Sequence, residues 1–220
     1  KKKTPQPYPS MKKPGTVLPE DQAKEMLQRS GIPTTDFVVV SSADAAAELD
    51  IAFPLVAKVC SADILHKTDV GGVQLNIQSR EELRSAVELL VERFDAQVLV
   101  EHMEPPGVEM IAGLFNDPSF GMSIMVGMGG VFTELYNDVC FRLVPITRCD
   151  ADAMLDELKA ARLFEGFRDM HLDRNALIDM LLSLSTLGSE HPSLQQMDLN
   201  PVLVYEEGVK VVDAKVIVGE

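Results

Sequence analysis

Residues 54–73 read PLVAKVCSADILHKTDVGGV, passing from a buried strand through a polar loop to two glycines at the head of a second strand. The run from Phe53 to Cys60 is apolar except for Lys58, and Val73, Leu75 and Ile77 then alternate along one face of the next strand. Lys58 has two readings. If its ammonium is buried it needs an anionic partner, which a phosphate oxygen would supply, whereas on an edge strand it would reach out to water. Gly71 and Gly72 either let the backbone approach a phosphate with its N–H groups turned inward, or make a tight turn. His66 is either a surface-loop histidine or a phosphoryl acceptor. With an unperturbed pKa of ~6.5 an imidazole is mostly neutral at cellular pH; Lys67 favours that acceptor form and Asp69 opposes it. Lysines beside such an acceptor would neutralise the charge on the transferring phosphoryl oxygens.

Working outward, Pro19 to Gly31 carry a helix pattern, with Glu20 and Asp21 at its positive end and Ala23, Met26 and Leu27 as a stripe. A strand is expected over 37–40, and Ser42 caps a short helix. Ser79 and Glu82 form a capping-box pattern for a helix to about Phe94, and QVLVEHM at 97–103 reads as a strand running into Pro105-Pro106-Gly107. That break sets the expected division: a basic arm over 1–16, a first lobe over 17–103 with a loop at 61–73 containing His66, and a second lobe over 104–220. The second lobe is expected to hold strands VEMIAGLF and MSIMVG around a turn at 116–118, and glycines 127, 129 and 130. Helices over about 150–161 and 174–187 follow, the latter before Gly188, and then strands with a hairpin at Glu206-Glu207-Gly208. This irregular mixture predicts α+β lobes rather than a doubly wound sheet, and there is no GxGxxG or Walker sequence.

A net charge of −14 disfavours non-specific nucleic-acid binding, so any phosphate must be held by local chemistry. No apolar run is long enough to span a membrane, and three cysteines without metal-like spacing fit a reducing cytoplasm. Two further groups carry chemistry. Asp198 and Asn200 in MDLNP, with Asp213 in VVDAK, are oxygen donors suited to Mg²⁺, or else turn residues. The strand end at Glu101 and Met103 offers main-chain groups to an adenine edge, with Glu109 within range of a ribose hydroxyl.

In order along the chain, PLVAK, HKTDVGGV, VEHMEPPGVEMIAG, DPSFG, GMGGVFTELYNDVCFRLVP, MDLNP and DAKV resemble the ATP-grasp subunit of ADP-forming acyl-CoA synthetases, from Leu18 to Val218. The resemblance implies an ATP-grasp fold with nucleotide between two lobes, and the reversible reaction of acyl-CoA, ADP and phosphate to acid, CoA and ATP. It implies that His66 takes a phosphoryl group from a partner's histidine and passes it to ADP, with Asp198 orienting His66. Lys58, Lys67, Thr68, Gly71 and Gly72 match positions on the phosphate side; Glu101, Met103 and Glu109 match adenosine contacts; Asn200 and Asp213 match Mg²⁺ ligands; Arg142 matches a further phosphate contact. The CoA-binding and ligase domains that the whole reaction needs are expected on an alpha subunit, in an α2β2 heterotetramer. The alternatives are a fragment of a succinyl-CoA or malate-CoA synthetase, which would not use His66, and a nucleotide sensor without transfer.

Overall fold

The computed structural model describes residues 15–64, 67–130, 138–166 and 171–219. A small sheet is built from β2 (Phe37–Val40), β3 (Leu55–Cys60), β4 (Val73–Ile77) and β5 (Gln97–His102), paired in the order β2-β5-β3-β4 and antiparallel throughout. Every residue of β3 is buried, because β5 and β4 flank it and the helices α2 (Ala43–Ala47) and α3 (Arg80–Phe94) accompany the sheet. Leu83, Val87 and Leu90 recur at helical spacing and close this core against Leu55, Ala57, Val98 and Val100. At the head of α3 the Ser79 hydroxyl accepts from the Glu82 amide, but the Glu82 carboxylate accepts from Gln78 N at 2.7 Å. The expected reciprocal box is therefore shifted by one residue on its return side.

The larger sheet comprises β1 (Thr16–Leu18), β6 (Val108–Asp117), β7 (Gly121–Met128), β8 (Val139–Leu143), β9 (Leu194–Val204), β10 (Val209–Val211) and β11 (Ala214–Val218). Its order is β1-β11-β9-β6-β7-β8, with β10 against β9. Helices α1 (Glu20–Arg29), α4 (Arg148–Asp156) and α5 (Arg174–Glu190) complete this lobe, with a 3-10 segment at Lys159–Glu165. The first strand and helix lie on the far side of the division expected from sequence. Thr16 to Leu18 pair with Val218 to Val216, and Ala23, Leu27 and Ile32 join the core of the larger sheet. A fully buried leucine such as Leu27 stabilises by about 2 kcal/mol, which ties α1 to that core. The chain thus starts in the larger lobe, crosses to build the smaller one, and returns at β6.

Two helices differ in extent from the pattern. The stretch read as 150–161 ends as α-helix at Asp156, and the Asp138 carboxylate accepts from the Lys159 and Ala160 amides at 2.7 and 2.9 Å, starting a separate 3-10 turn. In α5, Gly188 does not end the helix. A Cβ there would lie 3.1 Å from Leu114 Cδ1 and 3.2 Å from Met122 Cγ, so the glycine serves close packing on β6 and β7. The edge strand β8 was not announced by alternation. Among the described residues no helix is long and apolar enough to cross a membrane.

Candidate nucleotide site

The first turn of α1 brings two charged residues onto its buried stripe. Glu20 and Lys24 stand one turn apart on the face that also carries Ala23 and Leu27, so helix geometry buries all four together. Opposite them, β3 presents Lys58 and β5 presents Glu101. Lys58 Nζ lies 3.0 Å from Glu20 Oε1 and 2.6 Å from Glu101 Oε1, and donates to the Val212 carbonyl at 2.9 Å. Lys24 pairs with Glu101, lies 3.4 Å from Glu20 and donates to Thr35 Oγ1 at 2.5 Å. Lys67 closes the cluster: its ammonium contacts the second Glu20 oxygen and stands 3.4 Å from Asp213 Oδ1.

Lys24, Lys58, Glu20 and Glu101 are at most 5% exposed. At such sites unpaired charge is costly, and the groups persist by neutralising one another. Burial works to raise the Glu20 carboxyl, but Lys58, Lys67 and Lys24 together hold it well below the usual carboxylate range. Burial would lower Lys58, and the carboxylates of Glu20, Glu101 and Asp213 outweigh it, so its ammonium is held above the ordinary lysine value. For Lys24, burial and the nearby Lys58 prevail and its value falls.

Beside the cluster is a cavity of about 220 Å³ where the two lobes meet. Lys67, Thr68 and Asp69 line it from the smaller lobe; Asp198, Asn200, Asp213 and Lys215 line it from the larger. The antiparallel register of β9 and β11 sets Asp198 opposite Lys215, and the Asn200 amide donates to the Asp213 carbonyl at 3.1 Å. Burial raises the Asp198 carboxyl, with Lys215 opposing and Asp213 adding. Burial and Glu20 raise that of Asp213, against Lys58 and Lys67. Two half-buried carboxylates and an amide oxygen are hard donors that suit Mg²⁺, whose charge would offset their repulsion. Among the described residues no three histidine, cysteine, aspartate or glutamate side chains form a metal cage, so such an ion would complete its shell with water and phosphate oxygens.

The structure thus gathers Lys58, Lys67, Thr68, Asp198, Asn200 and Asp213 in one region, and revises how others are used. His66 lies outside the described residues. Lys58 has the anionic partners that burial demands, but they are protein carboxylates. Glu101 turns its side chain into the lysine cluster, and the Met103 amide is taken by the Pro54 carbonyl at 2.8 Å. The glycine amides do not face outward: Gly71 N donates to the Thr68 carbonyl and Gly72 N to that of Lys67, so they close a turn. Gly71 has φ +70°, and a Cβ on Gly72 would meet Val59 Cγ1 at 2.6 Å. Glu109 is exposed on β6, with its carboxylate against Gly130. Arg142 stands on the edge strand β8, pairing with Glu157 and 3.2 Å from Cys140 Sγ, and does not line the cavity. The sequence reading did not place Lys24, Thr35 or Lys215 at the site, gave Glu20 only a helix-end role, and gave Asp69 only an effect opposing the neutral form of His66. The i, i+4 pair Glu20–Lys24, in register with Leu27, was the available signal.

Residues 10–218 match the family model described as ATP-grasp domain. The beta subunit of acetate–CoA ligase [ADP-forming] II from Pyrococcus furiosus is 41% identical over 92% of this chain and 92% of its own length. Acetate–CoA ligase [ADP-forming] II from Archaeoglobus fulgidus is likewise 41% identical over 93% of this chain, which spans only 31% of that longer protein. An acetyl-coenzyme A synthetase 1 from Ca. Korarchaeum cryptofilum, solved with coenzyme A and Mg-AMPPCP and with its phosphohistidine segment pointing towards the nucleotide binding site, is 43% identical. It superposes with a TM-score of 0.82, covering 92% of this chain and 93% of that one. The two antiparallel sheets, the cavity between them and these matches agree: the chain belongs to the ATP-grasp domain family, with the beta subunits of ADP-forming acetate–CoA ligases among its relatives.

Proposed function

We propose that this chain is the nucleotide-handling part of an ADP-forming acyl-CoA synthetase, in which His66 carries a phosphoryl group between a partner's phosphohistidine and ADP. The observation that carries the reading is the cavity in which the residues following His66, Lys67 and Thr68, meet Asp198, Asn200 and Asp213 of the other lobe. In the direction of ATP synthesis the N–P bond of phosphorylated His66 breaks and a terminal phosphate oxygen of ADP forms the new P–O bond, leaving a neutral imidazole. Lys67 would neutralise charge on the transferring group, and Lys58, whose ammonium the carboxylates of Glu20, Glu101 and Asp213 favour, would add positive potential from behind it. Asp198 would hold the imidazole in the tautomer that presents the accepting nitrogen. Asn200 and Asp213 would hold Mg²⁺, which when bound screens phosphate charge and orients the nucleotide.

Acyl-CoA chemistry is assigned to a partner alpha subunit, a reading that the naming of the Pyrococcus relative as a beta subunit supports, and an α2β2 assembly is proposed for the pair. Three free cysteines, two of them buried, suit the cytoplasm proposed for it. The test is to incubate the chain with γ-labelled ATP and Mg²⁺, with and without the partner, and to look for an acid-labile, base-stable label. His66→Ala is expected to abolish it. A label that survives this substitution defeats the carrier assignment, and absence of label even with partner and acyl-CoA favours a nucleotide sensor.

A further inference from the structure

We propose that Glu20 is a positioning residue that tethers the 67–72 turn to the larger lobe and so sets where the segment after His66 stands against Asp213. The inference deepens the function proposed above and rests on it for its catalytic consequence. Its structural basis is independent of it. The Gly72 end of the turn is fixed to the smaller sheet: Gly72 O accepts from Val59 N at 2.8 Å, and the glycine packs on the Val59 side chain with no room for a Cβ. The Lys67 end reaches the larger lobe through its ammonium, which contacts Glu20 and lies 3.4 Å from Asp213.

Glu20 divides its carboxylate between two tasks. One oxygen neutralises Lys58 and Lys24, at 3.0 and 3.4 Å, and the other holds Lys67. Neutralising buried lysines would need only the first, and Glu101 already pairs with both of them. The second contact is the one that crosses from α1 to the turn. Glu20 is 2% exposed and anchored in the first turn of a helix whose stripe is packed in the larger core, so its oxygen is a fixed point for a flexible lysine. Asp213, half-buried at the cavity wall, then sees Lys67 from a defined position.

Two variants of the full chain test this, Glu20→Gln and Lys67→Met. The second leaves the pairs of Glu20 with Lys24 and Lys58 intact, and carries the test if the first fails to fold. Brief subtilisin digestion mapped by mass spectrometry is expected to show cutting within 67–72 rising about tenfold in both variants, while sites elsewhere change little. Unchanged cutting there in Lys67→Met, or a rise at all sites alike, would overturn the tether. In ATP-dependent phosphoryl labelling, Glu20→Gln is expected to slow the rate at saturating ATP by about tenfold or more, with the half-saturating ATP concentration little changed. A loss confined to ATP affinity, or no loss, would overturn the positioning role. If the wild-type chain takes no label even with its partner and acyl-CoA, the function proposed above fails, while the protease pattern still decides the tether.

Discussion

At the scale of single residues, Lys58 shows how burial converts a charge into a structural commitment. It stands in a strand buried at every position, and two carboxylates and a carbonyl surround its ammonium. Removing it leaves Glu20 and Glu101 sharing Lys24 and Lys67. Lys58→Met is expected to cost about 3–5 kcal/mol, read as a lower urea midpoint at pH 7; a loss under about 1 kcal/mol would mean that the cluster re-pairs without it. Burial of Lys58 demands an anion beside it, and the local sequence points to phosphate only because no distant carboxylate is visible along one strand. Glu20 is 38 residues away in the chain from Lys58 and Glu101 supplies its acid from β5.

At the scale of elements, caps and close packing set where helices begin and how far they run. Asp173 caps α5, accepting from Ala176 N at 2.9 Å, and also accepts from Gly208 N at 2.8 Å, tying the helix to the hairpin between β9 and β10. Asp173→Ala is expected to cost about 1–2 kcal/mol. Those amides, of Ala176 and then Gly208, hold its carboxyl below the ordinary aspartate value. A depressed folded value means that the contribution is present above the unfolded pKa of ~3.9 and is lost as pH falls from there through the folded value. The urea midpoints of wild type and Asp173→Ala should therefore differ at pH 7 and converge as the pH falls towards the folded value; a gap constant with pH would rule out the charged cap. Gly188→Val should cost about 1–3 kcal/mol by crowding Leu114 and Met122, measured the same way. Gly188 read as a stop signal because glycine commonly ends helices, and only the approach of β6 and β7 shows its packing role.

At the scale of the molecule, the cavity takes its walls from both lobes, so a ligand that fills it ties them together. With Mg²⁺ and ADP at about a hundred times their dissociation constant, unfolding should require about 2.7 kcal/mol more, seen as a rise in melting temperature. Removal of the metal with EDTA, or Asp213→Asn, should remove most of that rise; an equal rise without metal would unseat Asn200 and Asp213 as its ligands. The sequence by itself determined where the strands of the small sheet run, because Phe37–Val40 and 98–100 are short apolar runs bounded by caps and turn residues that need no distant partner, but the alternation expected of Val73, Leu75 and Ile77 fails: the pairing of β3 with β4 shifts register and Leu75 is exposed. It also determined the ordered motifs that mark the family. It did not determine that residues 16–32 belong with the C-terminal strands, since the pairing of β1 with β11 joins the two ends of the chain. Nor did it determine the cluster of Glu20, Lys24, Lys58, Lys67 and Glu101, for buried charges are legible only in pairs, and those pairs form when separate elements pack. Local propensity is written residue by residue, whereas charge neutralisation across a lobe junction is decided by the tertiary structure that brings the charges together.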